Sequence, residues 1–211
     1  MSGTAEVTLE QVLHNRERRV LRQRATIKAF GCPLLSITLV NPGPVKDSAS
    51  AREVMACALQ AVGCLMAEQR WPVVHREVHF SSTGPEALFA VDASPNALKI
   101  ATTRLEDVHP LGRLWDIDVI DMLGVACSRS TVGRPPRRCL LCDDVAHVCV
   151  RSRAHPLKRI LQAVEEIVDA EVPMMELVKE PVAVVGLEAS VSTEVAAPFA
   201  HDASVAGESW P

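Results

Sequence analysis

From Thr8 to about Phe30 the apolar residues Leu9, Val12, Leu13 and Val20 recur at helical spacing on an otherwise polar stretch. Thr8 with Gln11 reads as a capping box, and Gly31-Cys32-Pro33 stops the helix. Pro33 to Val40 (PLLSITLV) has the length and β-branched content of a strand. Ser48 to about Gln69, rich in Ala, Met and Leu, predicts an amphipathic or buried helix. Val73 to Ser81 and Ala87 to Val91 predict two strands joined by Ser82-Thr83-Gly84-Pro85, and Asn96 to about Val108 another helix. An alternating run, GRLWDIDVID, follows from Gly112 to Asp121. Leu123-Gly124 reads as a turn and Val125 to Ser130 as a pairing strand. Cys142 to Arg153 and Pro156 to Ala170 close the series as helices. Strands mixed with helices, with several antiparallel pairings expected, predict an α+β (or mixed α/β) class. The expectation is a single compact domain over residues 1–170, with a mostly antiparallel or mixed sheet flanked by helices. Glu188 to Pro211 is rich in Ala, Ser, Val and Glu without a helical stripe. Residues 171–211 therefore read as a flexible tail, with a short strand at Val182 to Val185.

Within the alternating run, period two sends Asp116 and Asp118 to one face of a strand and Trp115, Ile117 and Val119 to the other. The apolar face anchors the strand. The other carries two carboxylates about 7 Å apart along the strand. Like charges so placed repel unless a cation sits between them, and Mg²⁺ takes oxygen ligands of this kind while sharing itself with phosphate. Gly112 and Arg113 precede the strand, where a flexible backbone and a guanidinium suit that phosphate. The alternative is an edge strand with a solvated polar face. The adjoining Gly-Arg and a third acid, Asp121, favour the metal-phosphate site.

Composition narrows the class. Hydrophobic residues make up 48% and charged residues 23%, as in ordinary globular proteins. A net charge of −4, no Tyr and only 3% aromatic residues argue against a nucleic-acid binder. No apolar run approaches the roughly 20 residues that span a bilayer. The opening MSGTAEVTLEQ lacks the regions of a signal peptide. The expected location is cytoplasmic, so the seven Cys are expected as thiols.

Cys32, Cys57, Cys64 and Cys127 lie among apolar neighbours and read as buried thiols. Cys139, Cys142 and Cys149 instead cluster in RRCLLCDDVAHVCVRSRAH with His147 and His155. A C-x-x-C followed by a third Cys and a nearby His has the ligand types of a closed structural zinc site, although the spacing matches no standard finger; the alternative is a small loop and helix with packed Cys. Elsewhere, five Arg fall within nine residues, from Arg16 to Arg24. They form either a solvated face or a site for an anionic ligand or acidic partner. Lys46 ends the stiff NPGPVK loop, where it is held in a way that suits a phosphate contact; a turn with a surface lysine is the alternative.

Five separated segments, in one order, carry a family resemblance: NRERRVLRQ, PLLSITLVNPGPVK, STGPEALFAVDA, HPLGRLWDIDVID and RRCLLCDDVAHVCVRSRAH. Over roughly residues 8–165 the chain resembles the citrate lyase holo-acyl-carrier-protein synthases, or apo-citrate lyase phosphoribosyl-dephospho-CoA transferases. The resemblance implies a nucleotidyltransferase that attaches the prosthetic group of 2'-(5''-triphosphoribosyl)-3'-dephospho-CoA to a serine of the citrate lyase acyl-carrier subunit and releases pyrophosphate. It implies neither a nucleic-acid nor a membrane partner. Asp116 and Asp118 would then hold Mg²⁺ and Arg113 would stabilise phosphate charge. Gly112, Lys46, Arg18, Arg22 and Gln23 would contact substrate. Arg18 and Arg22 are four apart and share one helix face. Two other readings remain: the equivalent transferase for the malonate decarboxylase carrier, and a non-enzymatic, zinc-stabilised interaction protein.

Overall fold

Thr8 opens the first helix as predicted: its hydroxyl accepts from the Gln11 backbone N–H, and the Gln11 side chain returns the bond to the Thr8 N–H. In the computed structural model, which describes residues 5–176, α1 (Leu9–Phe30) ends on Gly31 in the left-handed conformation. There follow β1 (Leu34–Leu39), α2 (Ala49–Gln69), β2 (Val73–Ser81), β3 (Gly84–Val91), α3 (Pro95–Val108), β4 (Trp115–Ile120), β5 (Ala126–Cys127), α4 (Ala146–Ser152) and α5 (Leu157–Glu176).

The fold is α+β. Among the described residues, one five-stranded sheet runs in the order β2-β3-β1-β4-β5, and its pairings are antiparallel. Two element predictions need correction. The strand expected over Val125 to Ser130 shrinks to β5, and the helix expected from Cys142 begins at Ala146, because a short hairpin-like loop holds the first two clustered cysteines. The chain before β4 coils as a single 3₁₀ turn from Pro110 to Leu114. The helix α5 continues past the expected domain end at residue 170. The strand expected at Val182 to Val185, and most of the expected tail, lie outside the described residues.

The two sheet faces differ in kind. One presents Leu35, Ile37, Phe89, Val91, Trp115, Ile117 and Val119 to α2, α3 and α5. Trp115 is fully buried there, and its indole N–H donates to the Val54 carbonyl (3.2 Å). On the other face the register sets Ser36 opposite Asp118 and Thr38 opposite Asp116, with Glu86 on β3 beyond Thr38. Helix α1 crosses this polar face. A small apolar group, Leu34, Ala90 and Ile120 with Ile27 and Cys32, pins its C-terminal end. The polar end is left to the side chains of Asn15, Arg19 and Gln23.

Of the four cysteines expected to be buried, Cys64 is exposed, while Cys32, Cys57 and Cys127 are half-buried. Its position on the outer side of α2 accounts for the difference: an apolar neighbourhood in sequence does not decide which side of a helix meets the core.

Candidate functional site

Asp116 and Asp118 project from the solvent side of β4 while Trp115, Ile117 and Val119 are buried on the other. The strand is held from its outer edge as well. The pairing with β5 covers only Val119 and Ile120, so the backbone of Ile117 turns to side chains instead. Its N–H donates to Glu106 Oε1 (2.8 Å), and its carbonyl accepts from Lys99 Nζ (3.3 Å). Both side chains come from α3 and both are buried. Glu106 is neutralised by Arg129 (2.7 Å) and Arg137 (2.6 Å). The peptide that carries the two aspartates is thus fixed on both sides.

The carboxyl of Asp118 is pushed above the ordinary carboxylate range, first by burial and then by the charge of Asp116 beside it. Two carboxylates left to repel one another on rigid backbone form a donor set of hard oxygens, and this set fits a divalent cation.

Asp116 also borders a basic cavity of about 180 Å³ under α1, with Arg16, Arg19, Lys46, Thr38, Thr83 and Glu86 in its walls. Burial lowers the Arg19 guanidinium, and the charges of Asp118 and Asp116 partly offset this. Burial likewise lowers the Lys46 ammonium, with Arg16 adding to it. Lys46 donates to the Asn41 carbonyl, and Asn41 Nδ2 returns a bond to the Lys46 carbonyl (2.8 Å). Gly84, at φ +103°, lets the Lys46 loop pass close: a Cβ there would lie 3.1 Å from the Lys46 carbonyl oxygen.

The other sequence-derived candidates fall in several places. Arg18 is exposed, outside the walls of this cavity. Arg22 pairs with the buried Glu86, which also accepts from Arg19 Nε (2.8 Å) and Asn15 (3.2 Å). Gln23 donates to Ser36 Oγ (3.0 Å). Arg113 donates to the carbonyls of Cys139 (2.6 Å) and Arg138 (3.2 Å) and lines one cavity with Asp116. Gly112 is a packing glycine. A Cβ there would run into the Glu106 backbone, whose carbonyl carbon and Cα would lie at 2.8 and 2.9 Å. Gly112→Ala is therefore expected to destabilise by about 1–3 kcal/mol, the usual range for overpacking. Its thermal melt should fall well below that of Gly63→Ala, on the exposed side of α2, whose Cβ meets nothing within 4 Å and whose backbone is helical.

Asp121 caps the turn after β4, accepting from Leu123 N (2.9 Å) and Val125 N (2.8 Å). Among the described residues, the carboxylates besides Asp118 that share cavities with Asp116 are Glu86 and Glu106. Sequence reasoning missed both of these, along with Arg16, Arg19 and Arg137. The signal for Arg16 and Arg19 was present in the Arg run. What was lacking was the face of α1 that meets the sheet.

The cysteine loop forms a knuckle against the end of β4. Cys139 N donates to the Asp144 carbonyl (2.7 Å), and Ala146 N to the Arg137 carbonyl (2.9 Å). Ligand atoms of Cys139, Cys142, Cys149 and His155 lie within 4.8 Å of one another. Cys142 Sγ is 3.5 Å from Cys149 Sγ and 3.3 Å from His155 Nε2. Tetrahedral zinc with bonds of about 2.3 Å to sulfur needs separations of about 3.5–3.8 Å, so the cluster fits a metal ion. Burial pushes the Cys139 thiol up, but the N–H groups of Leu141 and Cys142 and the neighbouring thiols outweigh it and hold Cys139 at about 7. His147, the other histidine considered, lies outside the cluster. It lines the cavities beside Asp116 instead. Arg113 and Arg137 fasten the knuckle: Arg113 through the Cys139 carbonyl, Arg137 by donating to the Trp115 carbonyl (2.7 Å).

With this geometry in view, residues 7–171 match the family described as apo-citrate lyase phosphoribosyl-dephospho-CoA transferase. Curated relatives bearing that name in Escherichia coli O6:H1 (strain CFT073) and in Shigella boydii serotype 18 are 40% identical over 163 residues. The matched span is 77% of this chain and 89% of each relative.

Proposed function

We infer the chemistry of this site from one premise: the chain belongs to the apo-citrate lyase phosphoribosyl-dephospho-CoA transferase family. It is a transferase that places the phosphoribosyl-dephospho-CoA group on apo-citrate lyase. The proposed donor is 2'-(5''-triphosphoribosyl)-3'-dephospho-CoA, and the proposed acceptor is a serine hydroxyl of the acyl-carrier subunit. The serine oxygen bonds to the α-phosphorus as the bond from that phosphorus to the departing pyrophosphate breaks.

The observation that supports this reading is the contact of Asp116 with the basic cavity. Phosphoryl-type transfer asks a protein mainly for positioning and charge neutralisation. Arg16, Arg19 and Lys46 hold the polyphosphate. Asp116 and Asp118 are the proposed ligands of Mg²⁺, which when bound neutralises charge on the transferred group and the leaving pyrophosphate. The two carbonyl bonds of Arg113 use Nη2, which leaves its other N–H donors to a phosphate edge. Arg22 and Gln23 stiffen α1 over the sheet, through Glu86 and Ser36.

The test is the intact mass of the citrate lyase carrier subunit after incubation with this protein, donor and Mg²⁺, read alongside pyrophosphate release. The expected result is a carrier heavier by one prosthetic group, with release that needs Mg²⁺. An unmodified carrier, or equal release in chelator, would overturn the reading.

The cysteine cluster is assigned to structural zinc, with His155 as the fourth ligand. Protein purified without chelator should carry about one zinc per chain, and stripping it should lower the melting temperature, since structural zinc contributes directly to folding. Metal analysis finding no zinc would return these side chains to ordinary packing.

A further inference from the structure

Three cavities meet at Asp116, and they differ in chemistry. Two are polar: the basic one under α1 and one of about 250 Å³ along the open edge of β4. The third, of about 420 Å³, lies between the cysteine knuckle and the ends of β1 and β4. Its walls are largely apolar, supplied by Val40, Leu141, Ala146, Val150 and Ile160. It alone of the three falls in the roughly 300–1,000 Å³ range of small-molecule sites.

The donor named above is also divided at its reacting phosphorus. On one side is the departing polyphosphate, which is all charge. On the other is a ribosyl group that joins the phosphorus to the 2'-oxygen of an adenosine, a flat purine nucleoside with polar edges, followed by a diphosphate. The basic cavity suits the first half but offers no surface for a purine. The apolar cleft suits the second, and Arg138 and Arg151 on its border suit the diphosphate that follows. Because both spaces open on Asp116, a donor lying across the aspartate reaches both at once.

We propose that the cleft between the cysteine knuckle and β4 is the adenosine subsite for the dephospho-CoA half of the donor. This rests on the transferase reading for the identity of the donor, and on the cleft itself for its place. It gives the knuckle a functional role: its loop and α4 form one wall of the subsite, and its metal fixes that wall.

The probe is 3'-dephospho-CoA, which lacks the triphosphoribosyl group, titrated calorimetrically into the zinc-loaded full chain. It should bind saturably. Adenosine should compete with it, whereas inorganic tripolyphosphate and pantetheine should not. Ala146→Trp, which fills the cleft, should weaken binding by about tenfold or more. Arg16→Ala, in the basic cavity, should leave it within about twofold. Val150 is exposed on α4, so Val150→Asp tests the same wall without a risk to folding; it should weaken binding of the diphosphate-bearing probe in the same direction. In turnover both wall variants should raise the donor KM and leave the carrier KM unchanged. Absence of binding, competition by tripolyphosphate or pantetheine, or indifference to both wall variants would overturn the proposal. Failure of the wild-type protein to modify the carrier, with dephospho-CoA still bound in the cleft, would instead overturn the transferase assignment and leave the nucleotide subsite standing.

Discussion

Asp116→Asn is expected to leave a folded protein whose turnover falls by orders of magnitude. The residue borders all three cavities around β4 and is exposed on its strand, so the change disturbs little packing. What it removes is half of the carboxylate pair. Charge held by a metal supplies several kcal/mol in such reactions, and each 1.36 kcal/mol is about tenfold in rate. Asp118→Asn should be similarly inactive, but it should differ in stability. The Asp118 carboxyl is raised by burial and by Asp116, so its ionised form is penalised in the folded state. That penalty is complete above the raised folded-state value. It fades as pH falls through it and is gone below the unfolded-state value, where both states are protonated. Metal-free Asp118→Asn should therefore melt higher than wild type at neutral pH, and the gain should vanish in acid. Solvent screens the exposed pair, so the gain is held to no more than about 1 kcal/mol. Near-normal turnover in both variants would sink the assignment. A lower melting temperature for metal-free Asp118→Asn at neutral pH would contradict the electrostatic account of this strand.

Glu106→Gln should have the largest effect on stability. Glu106 is 3% exposed and holds three groups: Arg129, Arg137 and the Ile117 N–H. The glutamine can still accept from Ile117, but it leaves two guanidinium groups without their shared charge. Removing one member of a buried ionic network costs about 3–5 kcal/mol. For a chain of this size that lowers the melting temperature by roughly 6–20 °C. Asp107→Asn is the control. Asp107 also pairs with Arg129 (2.8 Å), but its side chain is 43% exposed, and such pairs contribute about 0–1 kcal/mol. Equal melting temperatures for the two variants would show that Glu106 is not the organising charge. Because Arg137 also fastens the knuckle to Trp115, Glu106→Gln should loosen the cleft wall too. Faster hydrogen exchange across Arg137 to Ala146 would report this.

Much of this architecture could be read in the sequence wherever the controlling interactions are local. The Thr8–Gln11 capping box, the Gly31 stop and the alternation in WDIDVI each act within a few residues, and each appears in the structure as the pattern predicts. The short β5 and the late start of α4 are different. The chain there is held by contacts across long separations, such as Arg113 to the Cys139 carbonyl and Arg129 to Glu106. No periodicity reports those.

The sequence alone determined that Asp116 and Asp118 share a face, that three cysteines and a histidine lie close along the chain, and which family the segments belong to. These follow from spacing and residue type, which are properties of the chain itself. Only the tertiary structure decided what those groups meet. Antiparallel register across three strands brings Glu86, Thr38 and Asp116 into one row, and the crossing of α1 sets Arg16 and Arg19 above it while Arg22 turns to Glu86. The choice of His155 over His147 was also tertiary. His147 and Cys149 are two apart on α4, so their side chains point to different sides. The left-handed Arg153, at φ 51°, ends the helix and turns the chain so that His155 returns to Cys142. Spacing along a chain fixes direction within an element, whereas neighbours across elements depend on packing that no single segment contains.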